Sequence, residues 1–154
     1  MIYLIHLFIG CLIGGYFHSI PAIIILALAS HFLLDMLPHL DGPYDRLHFE
    51  KTGNLKVGKA MYYIEALDFL IVLAIVIYFS EKTVFFTSGM MLGVIASLAP
   101  DILKAGYFTP LKKNKTYMKY LHFHSRIQNE VSWKFGILNQ TIMLAALIVL
   151  FHFV

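Results

Sequence analysis

Two histidines and two aspartates close a long apolar run, and this feature constrains the chain more than any other. Residues 30–41 read SHFLLDMLPHLD. An ionisable side chain in an apolar membrane helix costs roughly 3 kcal/mol at bilayer depth, so such groups are rare there. His31 and Asp35 are four residues apart and therefore share one helical face. We predict that they act together, and the simplest shared task is to hold a metal ion.

The composition indicates an integral membrane protein. Of the 154 residues, 59% are hydrophobic and 14% are charged, and the mean hydropathy is +0.74. Soluble domains are about 45–50% apolar and about 25% charged. We expect one transmembrane domain over residues 1–154. The single cysteine, Cys11, excludes a cysteine-based zinc site of the finger type.

Five apolar runs predict an all-α, polytopic fold with five transmembrane helices. Each run is close to the ~20 residues that a helix needs to cross about 30 Å of hydrocarbon. Pro21 suits the first turn of the second helix, and Pro38 ends it. The runs cover approximately residues 2–17, 20–37, 61–79, 84–103 and 135–153.

The basic residues predict the orientation of these helices. Eleven of the twelve fall in residues 38–60 and 104–134, and only Lys82 falls on the other side. By the positive-inside rule, the N-terminus and both large loops are cytoplasmic and the C-terminus lies outside. We therefore expect an inner-membrane protein. The net positive charge is a topology signal, and nucleic acid is not an expected partner.

The two large loops each suggest a local structure. In the first, apolar residues alternate around Thr52-Gly53-Asn54, which predicts a small hairpin. In the second, residues 116–132 predict an interfacial helix on the cytoplasmic side. Tyr120 and His124 share one face of that helix, and His122 and Arg126 share the other.

Further ionisable groups converge on the cytoplasmic end of the predicted bundle. Glu65 and Asp68 follow the start of the third run, and Asp101 closes the fourth. Imidazole with carboxylate suits zinc first, with manganese or magnesium as alternatives. In this interpretation Glu65 and His39 have catalytic roles. The predicted metal ligands are His31, Asp35, Asp41, Asp68 and Asp101.

Each of these residues also has an ordinary structural explanation. His31 taken alone fits a core histidine that is bonded to a backbone carbonyl. Asp35 and Asp101 taken alone fit interfacial acids at helix ends, and Glu65 and Asp68 fit acids that complement a helix N-terminus. The metal hypothesis rests on their coincidence at one end of the bundle.

The 30–41 string, followed by Ala-Pro-Asp at 99–101, resembles small prokaryotic inner-membrane proteins known as membrane-bound metal-dependent hydrolases. The resemblance covers about a third of the chain. It implies that His31, Asp35, His39, Asp41 and Asp101 are the motif positions here. It also implies a metal-dependent hydrolytic activity.

The expected function is hydrolysis of a lipid-linked phosphoester by a membrane-embedded, metal-dependent enzyme at the cytoplasmic interface. Membrane lipids and a lipid-linked or small phosphoester are the expected partners. The alternative is a small cation or proton transporter, or an ion-binding membrane protein without enzymatic activity, because acids and histidines also form relays. The residues predicted to attract an anionic headgroup are Lys112, Lys113, Lys115, His122 and His124.

Overall fold

The computed structural model describes residues 2–40, 46–56, 58–81 and 87–151. Within these ranges the chain is helical, and the only β feature is an isolated bridge between His39 and Glu130. The predicted all-α class is confirmed. The helices are α1 (Tyr3–Tyr16), α2 (Ile20–Asp35), α3 (Arg46–Thr52), α4 (Lys59–Glu81), α5 (Ser88–Lys104), α6 (Lys115–Ile127) and α7 (Trp133–Phe151), with 3₁₀ turns at Ala105–Phe108 and Pro110–Lys113.

The five predicted apolar runs correspond to α1, α2, α4, α5 and α7. Two stretches, Ser88–Phe108 and Trp133–Leu150, are long and apolar enough to cross a membrane by length and composition. The apolar parts of the other three are shorter: Tyr3–Tyr16, Ile20–Asp35 and Ala66–Tyr78. Five membrane crossings therefore stay a prediction, while the helical nature of all five runs is observed.

The hairpin predicted around Thr52-Gly53-Asn54 is wrong, because the residues before it form α3. The Arg46 Nε atom lies 2.9 Å from Glu50 Oε1, an i, i+4 ion pair that supports a helix. Phe49 is buried and its ring stacks on His122 at 4.8 Å between centroids. Gly53 has a φ of +69°, a left-handed conformation that ends α3.

The helix predicted over 116–132 forms as α6 but is shorter at its C-terminal end. Asn114 caps it, since its Oδ1 accepts hydrogen bonds from the Thr116 and Tyr117 amides at 2.8 and 3.1 Å. After Ile127 the chain becomes extended and runs beside the end of α2. There the Asn129 amide donates to the Asp35 carbonyl at 3.1 Å, which fastens the second loop to α2.

Glycines bring α1 and α5 into backbone contact. A Cβ at Gly10 would lie 2.6 Å from the Gly93 carbonyl oxygen, and one at Gly93 would lie 2.9 Å from the Gly10 carbonyl carbon. Gly14 and Gly89 meet in the same way one turn further on. Within each helix the two glycines are four residues apart, and this spacing of small residues allows close helix packing in membranes.

Candidate metal centre

The last two turns of α2 place His31 and Asp35 in the protein interior. Both side chains are fully buried, and His31 Nε2 lies 3.3 Å from Asp35 Oδ2. Their i, i+4 spacing produces this contact directly, as the sequence predicted.

A backbone carbonyl sets the tautomer of His31. Its Nδ1 lies 2.8 Å from the carbonyl oxygen of Ser97 in α5. Because a carbonyl only accepts, Nδ1 must carry the hydrogen and donate it. In the neutral ring the lone pair is then on Nε2, which faces Asp35. Metal-ligating histidines are commonly oriented by such a bond from the other ring nitrogen.

Ser97 joins three helices at this point. Its carbonyl accepts from His31 of α2, and its Oγ donates to the His6 carbonyl of α1 at 2.8 Å. Ser97 is fully buried and has no access to water, so its polar groups must be paired within the protein. The sequence interpretation did not identify this residue.

The last turn of α5 contributes Asp101, which is 4% exposed. Its Oδ1 lies 3.9 Å from Nε2 of both His31 and His124. The Lys104 ammonium lies 2.5 Å from the same oxygen, so one positive charge already offsets one of the two buried carboxylates.

Helix α6 contributes His124, which lies with the metal group although the sequence assigned it to headgroup binding. Its Nε2 is 3.0 Å from His31 Nε2 and 3.5 Å from Asp35 Oδ2. Burial, reinforced by the Lys104 charge, lowers the pKa of His124 to about 3. The ring is therefore neutral at pH 7, the form that binds a metal.

Two tyrosines of α6 orient His124. The Tyr120 hydroxyl donates to the Pro100 carbonyl at 2.6 Å, and the Tyr117 hydroxyl donates to the Leu103 carbonyl at 2.8 Å. Both acceptors lie near the C-terminal end of α5. Since Tyr117, Tyr120 and His124 lie on one side of α6, docking the tyrosines turns His124 inward.

Four buried residues thus form a group that can hold a metal ion: His31, Asp35, Asp101 and His124. Their ligand atoms all lie within 4.8 Å of one another. Two donors about 2.1 Å from one ion are roughly 3.0–3.4 Å apart at octahedral or tetrahedral angles. The two shortest observed separations, 3.0 and 3.3 Å, fall within this range, and the next, 3.5 Å, lies just above it. Imidazole and carboxylate ligands suit zinc, manganese or iron.

The structure brings three predicted ligands together, His31, Asp35 and Asp101, and places Asp68 elsewhere. The Asp68 Oδ2 atom accepts a hydrogen bond from the Tyr3 amide at 2.6 Å, at the N-terminus of α1. A carboxylate is stabilised there by the unpaired amides and the helix dipole. Asp68 is not part of the four-residue group.

Of the two residues predicted to be catalytic, His39 lies outside this group. The His39 Nδ1 atom donates to the Leu37 carbonyl at 2.8 Å, and the His39 backbone pairs with Asn129 and Val131. The side chain of Glu65, in α4, and the whole of Asp41 lie outside the described residues.

The predicted headgroup residues separate into three environments. The three lysines are exposed around the start of α6, His122 stacks on Phe49, and His124 joins the metal group. The lysines are Lys112, Lys113 and Lys115.

No protein-family model, no curated protein and no solved structure matches this chain. The fold and the site therefore define its class. It is a helical protein with two helices able to cross a membrane and a buried histidine–aspartate group that can hold a metal ion.

Proposed function

We propose that this chain is a multi-pass membrane protein and a metal-dependent hydrolase that acts on a lipid-linked phosphoester at the cytoplasmic interface. One observation carries the proposal. Two imidazoles and two carboxylates from three helices converge within 4.8 Å in the interior. Lys104 offsets only one of the two buried carboxylates, burial of an uncompensated charge is strongly unfavourable, and a divalent ion would supply the missing positive charge.

The outer surface of the helices supports the membrane part of the proposal. Large apolar side chains face outward on several helices, including Ile25 at 64%, Leu67 at 61% and Phe135 at 70% exposure. A surface of this kind is unfavourable in water and suits contact with lipid tails. Helices α1, α2 and α4 would then cross together with the two longer stretches.

The charge distribution supports a cytoplasmic site. Asp101 and Lys104 end α5, and the exposed Lys112, Lys113 and Lys115 follow within the next loop. Under the positive-inside rule this end of the bundle faces the cytoplasm. The same lysines would attract an anionic headgroup towards the metal group.

The residues of the site have distinct tasks in this proposal. A divalent ion, when bound, polarises a phosphoryl oxygen as a Lewis acid. The Ser97 carbonyl keeps the His31 Nε2 lone pair free for that ion, and Lys104 holds the Asp101 carboxylate. Glu65 of α4 is the proposed general base.

The transporter alternative requires polar groups that continue across the membrane. Residues 7–16, 20–30 and 88–100 contain no acidic, basic or histidine residue. The metal group therefore lies at one end of α1, α2 and α5, and no relay leads away from it along these helices. This one-sided placement favours the hydrolase.

The test is metal analysis and hydrolysis by the full-length protein purified in detergent. We expect a bound divalent ion and release of phosphate from a lipid phosphoester presented in mixed micelles. Asp35→Asn should lose both, whereas His18→Gln, which changes an exposed histidine outside the group, should keep both.

Two results would contradict the proposal. If folded Asp35→Asn protein hydrolyses the phosphoester as fast as wild type, the group is not the active site. If wild type binds the ion and hydrolyses no lipid phosphoester, the metal has a structural role.

A further inference from the structure

A fifth residue, His6 of α1, borders the metal group. Its side chain is fully buried; Nδ1 has no hydrogen-bond partner among the described residues, and Nε2 faces the carboxylate oxygens of Asp35 and Asp101 at 3.4 and 3.9 Å. Its ring stacks on His31, with 4.2 Å between centroids and 28° between planes. The Nε2 atom of His6 therefore faces two buried carboxylates, and imidazole with carboxylate is a donor set that divalent metals prefer.

The two oxygens of Asp35 face different histidines. Oδ2 lies 3.3 Å from His31 Nε2 and 3.5 Å from His124 Nε2. Oδ1 lies 3.4 Å from His6 Nε2. The carboxylate therefore has one oxygen in the four-residue group and the other directed at His6.

The two oxygens of Asp101 also face different histidines. Its Oδ1 lies 3.9 Å from Nε2 of both His31 and His124, while its Oδ2 lies 3.9 Å from His6 Nε2. Two carboxylates from different helices thus split their oxygens between the same two sets of imidazoles. This is the arrangement of bridging carboxylates between two metal positions.

We propose that the site is dinuclear, with Asp35 and Asp101 bridging two divalent ions. His31 and His124 complete the first position, and His6 completes the second. This inference rests on the proposed metal centre and deepens it. Paired ions about 3.5–4 Å apart are common in enzymes that cleave phosphoesters.

The two positions differ in how many donors the protein supplies. The first has two imidazoles and two carboxylate oxygens, whereas the second has one imidazole and two carboxylate oxygens. The second position therefore leaves more coordination sites open for a ligand that is not part of the protein. We infer that the phosphoryl group of the substrate binds there.

The charge of a dinuclear site specifies the substrate class. Two divalent ions contribute four positive charges, Lys104 one, and the two carboxylates offset two, which leaves three. With one divalent ion alone, the site would have a single net positive charge. A phosphomonoester, which carries about two negative charges at neutral pH, suits the dinuclear site better than a neutral carboxylic ester does.

The test uses full-length protein in detergent, stripped of metal and titrated with Mn²⁺. Elemental analysis should find two ions per chain at saturation in wild type and one in His6→Gln. His18→Gln is the matched control and should bind two. The electron paramagnetic resonance spectrum of loaded wild type should show spin coupling, while His6→Gln should show the signal of isolated Mn²⁺.

Wild type that saturates at one ion per chain would overturn the dinuclear site, and hydrolysis by that protein would leave the proposed function standing. No bound ion would overturn both. His6→Gln that binds two ions would exclude His6 as a ligand. If His6→Gln does not fold, the wild-type titration decides alone, since a second equivalent must convert the isolated signal into the coupled one.

Discussion

Helices α4 and α5 are both long and apolar, and both carry an aspartate near the same end of the bundle, yet they use it differently. Asp101 of α5 is 4% exposed and belongs to the metal group. Asp68 of α4 is half-buried and accepts a hydrogen bond at the start of α1. The position of an acid along an apolar helix therefore does not reveal its role until the packed face of that helix is known.

The difference originates in the small residues of α5. Gly89, Gly93, Ser97 and Asp101 recur every four residues and so lie along one face. That face contacts the backbone of α1 at the two glycines, and it continues into the metal group. The described part of α4 has large apolar side chains along its length, and Val72 is its only buried one. Residues 59–81 contain no glycine, so α4 has no counterpart of the glycine contacts that join α5 to α1.

Disrupting the glycine face of α5 that packs against the backbone of α1 should lower the stability of the protein the most. Gly93→Leu inserts a side chain where the Gly10 carbonyl already lies, so the free energy of unfolding should fall by at least about 3 kcal/mol. Unfolding by denaturant in mixed micelles measures this loss. Ala74→Leu, at an exposed position of α4, should change it by less than about 0.5 kcal/mol. Equal losses in the two variants would contradict the contrast between the helices.

Replacing the aspartate should abolish metal binding in α5 but not in α4. Asp101→Asn should lose the ion, while Asp68→Ala should keep it, because only Asp101 lies in the group. At an ion concentration 100-fold above Kd, Asp101→Asn should also lose about 2.7 kcal/mol of metal-linked stability. Elemental analysis and melting with and without chelator measure both quantities. Metal loss in Asp68→Ala would show that α4 contributes a ligand.

The acid of α4 should still matter for stability. Asp68→Ala removes the acceptor of the Tyr3 amide, and hydrogen bonds to charged groups are worth about 1.5 kcal/mol. The unfolding free energy should fall by about that amount. Asp68→Asn keeps an acceptor oxygen and should lose less. If Ala and Asn substitutions cost the same, the bond to α1 contributes nothing.

The smallest effect should come from the hydroxyl that docks α6 on α5. Tyr120→Phe removes the bond to the Pro100 carbonyl and should cost about 1 kcal/mol. Tyr63→Phe removes an exposed hydroxyl on α4, where the side chain is 77% exposed, and should cost almost nothing. If Tyr63→Phe lowered the unfolding free energy measurably and Tyr120→Phe did not, the predicted contrast between the two hydroxyls would be wrong.

Much of the helical framework could be predicted from the sequence. The apolar runs locate the five longer helices, and only their ends differ by a few residues; Thr87, for example, caps α5 with its Oγ1 3.2 Å from the Met90 amide. The pairing of His31 with Asp35 also follows from their spacing. The hairpin prediction failed because burial of Phe49 against His122 favours a helix there.

The remainder of the site depends on contacts between helices that no local pattern specifies. His6 lies four residues before Gly10, and Asp101 lies four after Ser97, so each belongs to a small-residue stripe. This four-residue periodicity is visible in the sequence itself. His124 reaches His31 only because tyrosines of α6 bond to carbonyls near the end of α5.

Hydrophobic length and the 3.6-residue period are enough to predict which segments are helical and which histidine and acid share a face. Which acids meet depends on how the helices pack. Asp101 joins the group and Asp68 does not, since the close α1–α5 contact rotates one face inward. Such a contact depends on the shape of two backbones at once, and neither segment encodes it alone.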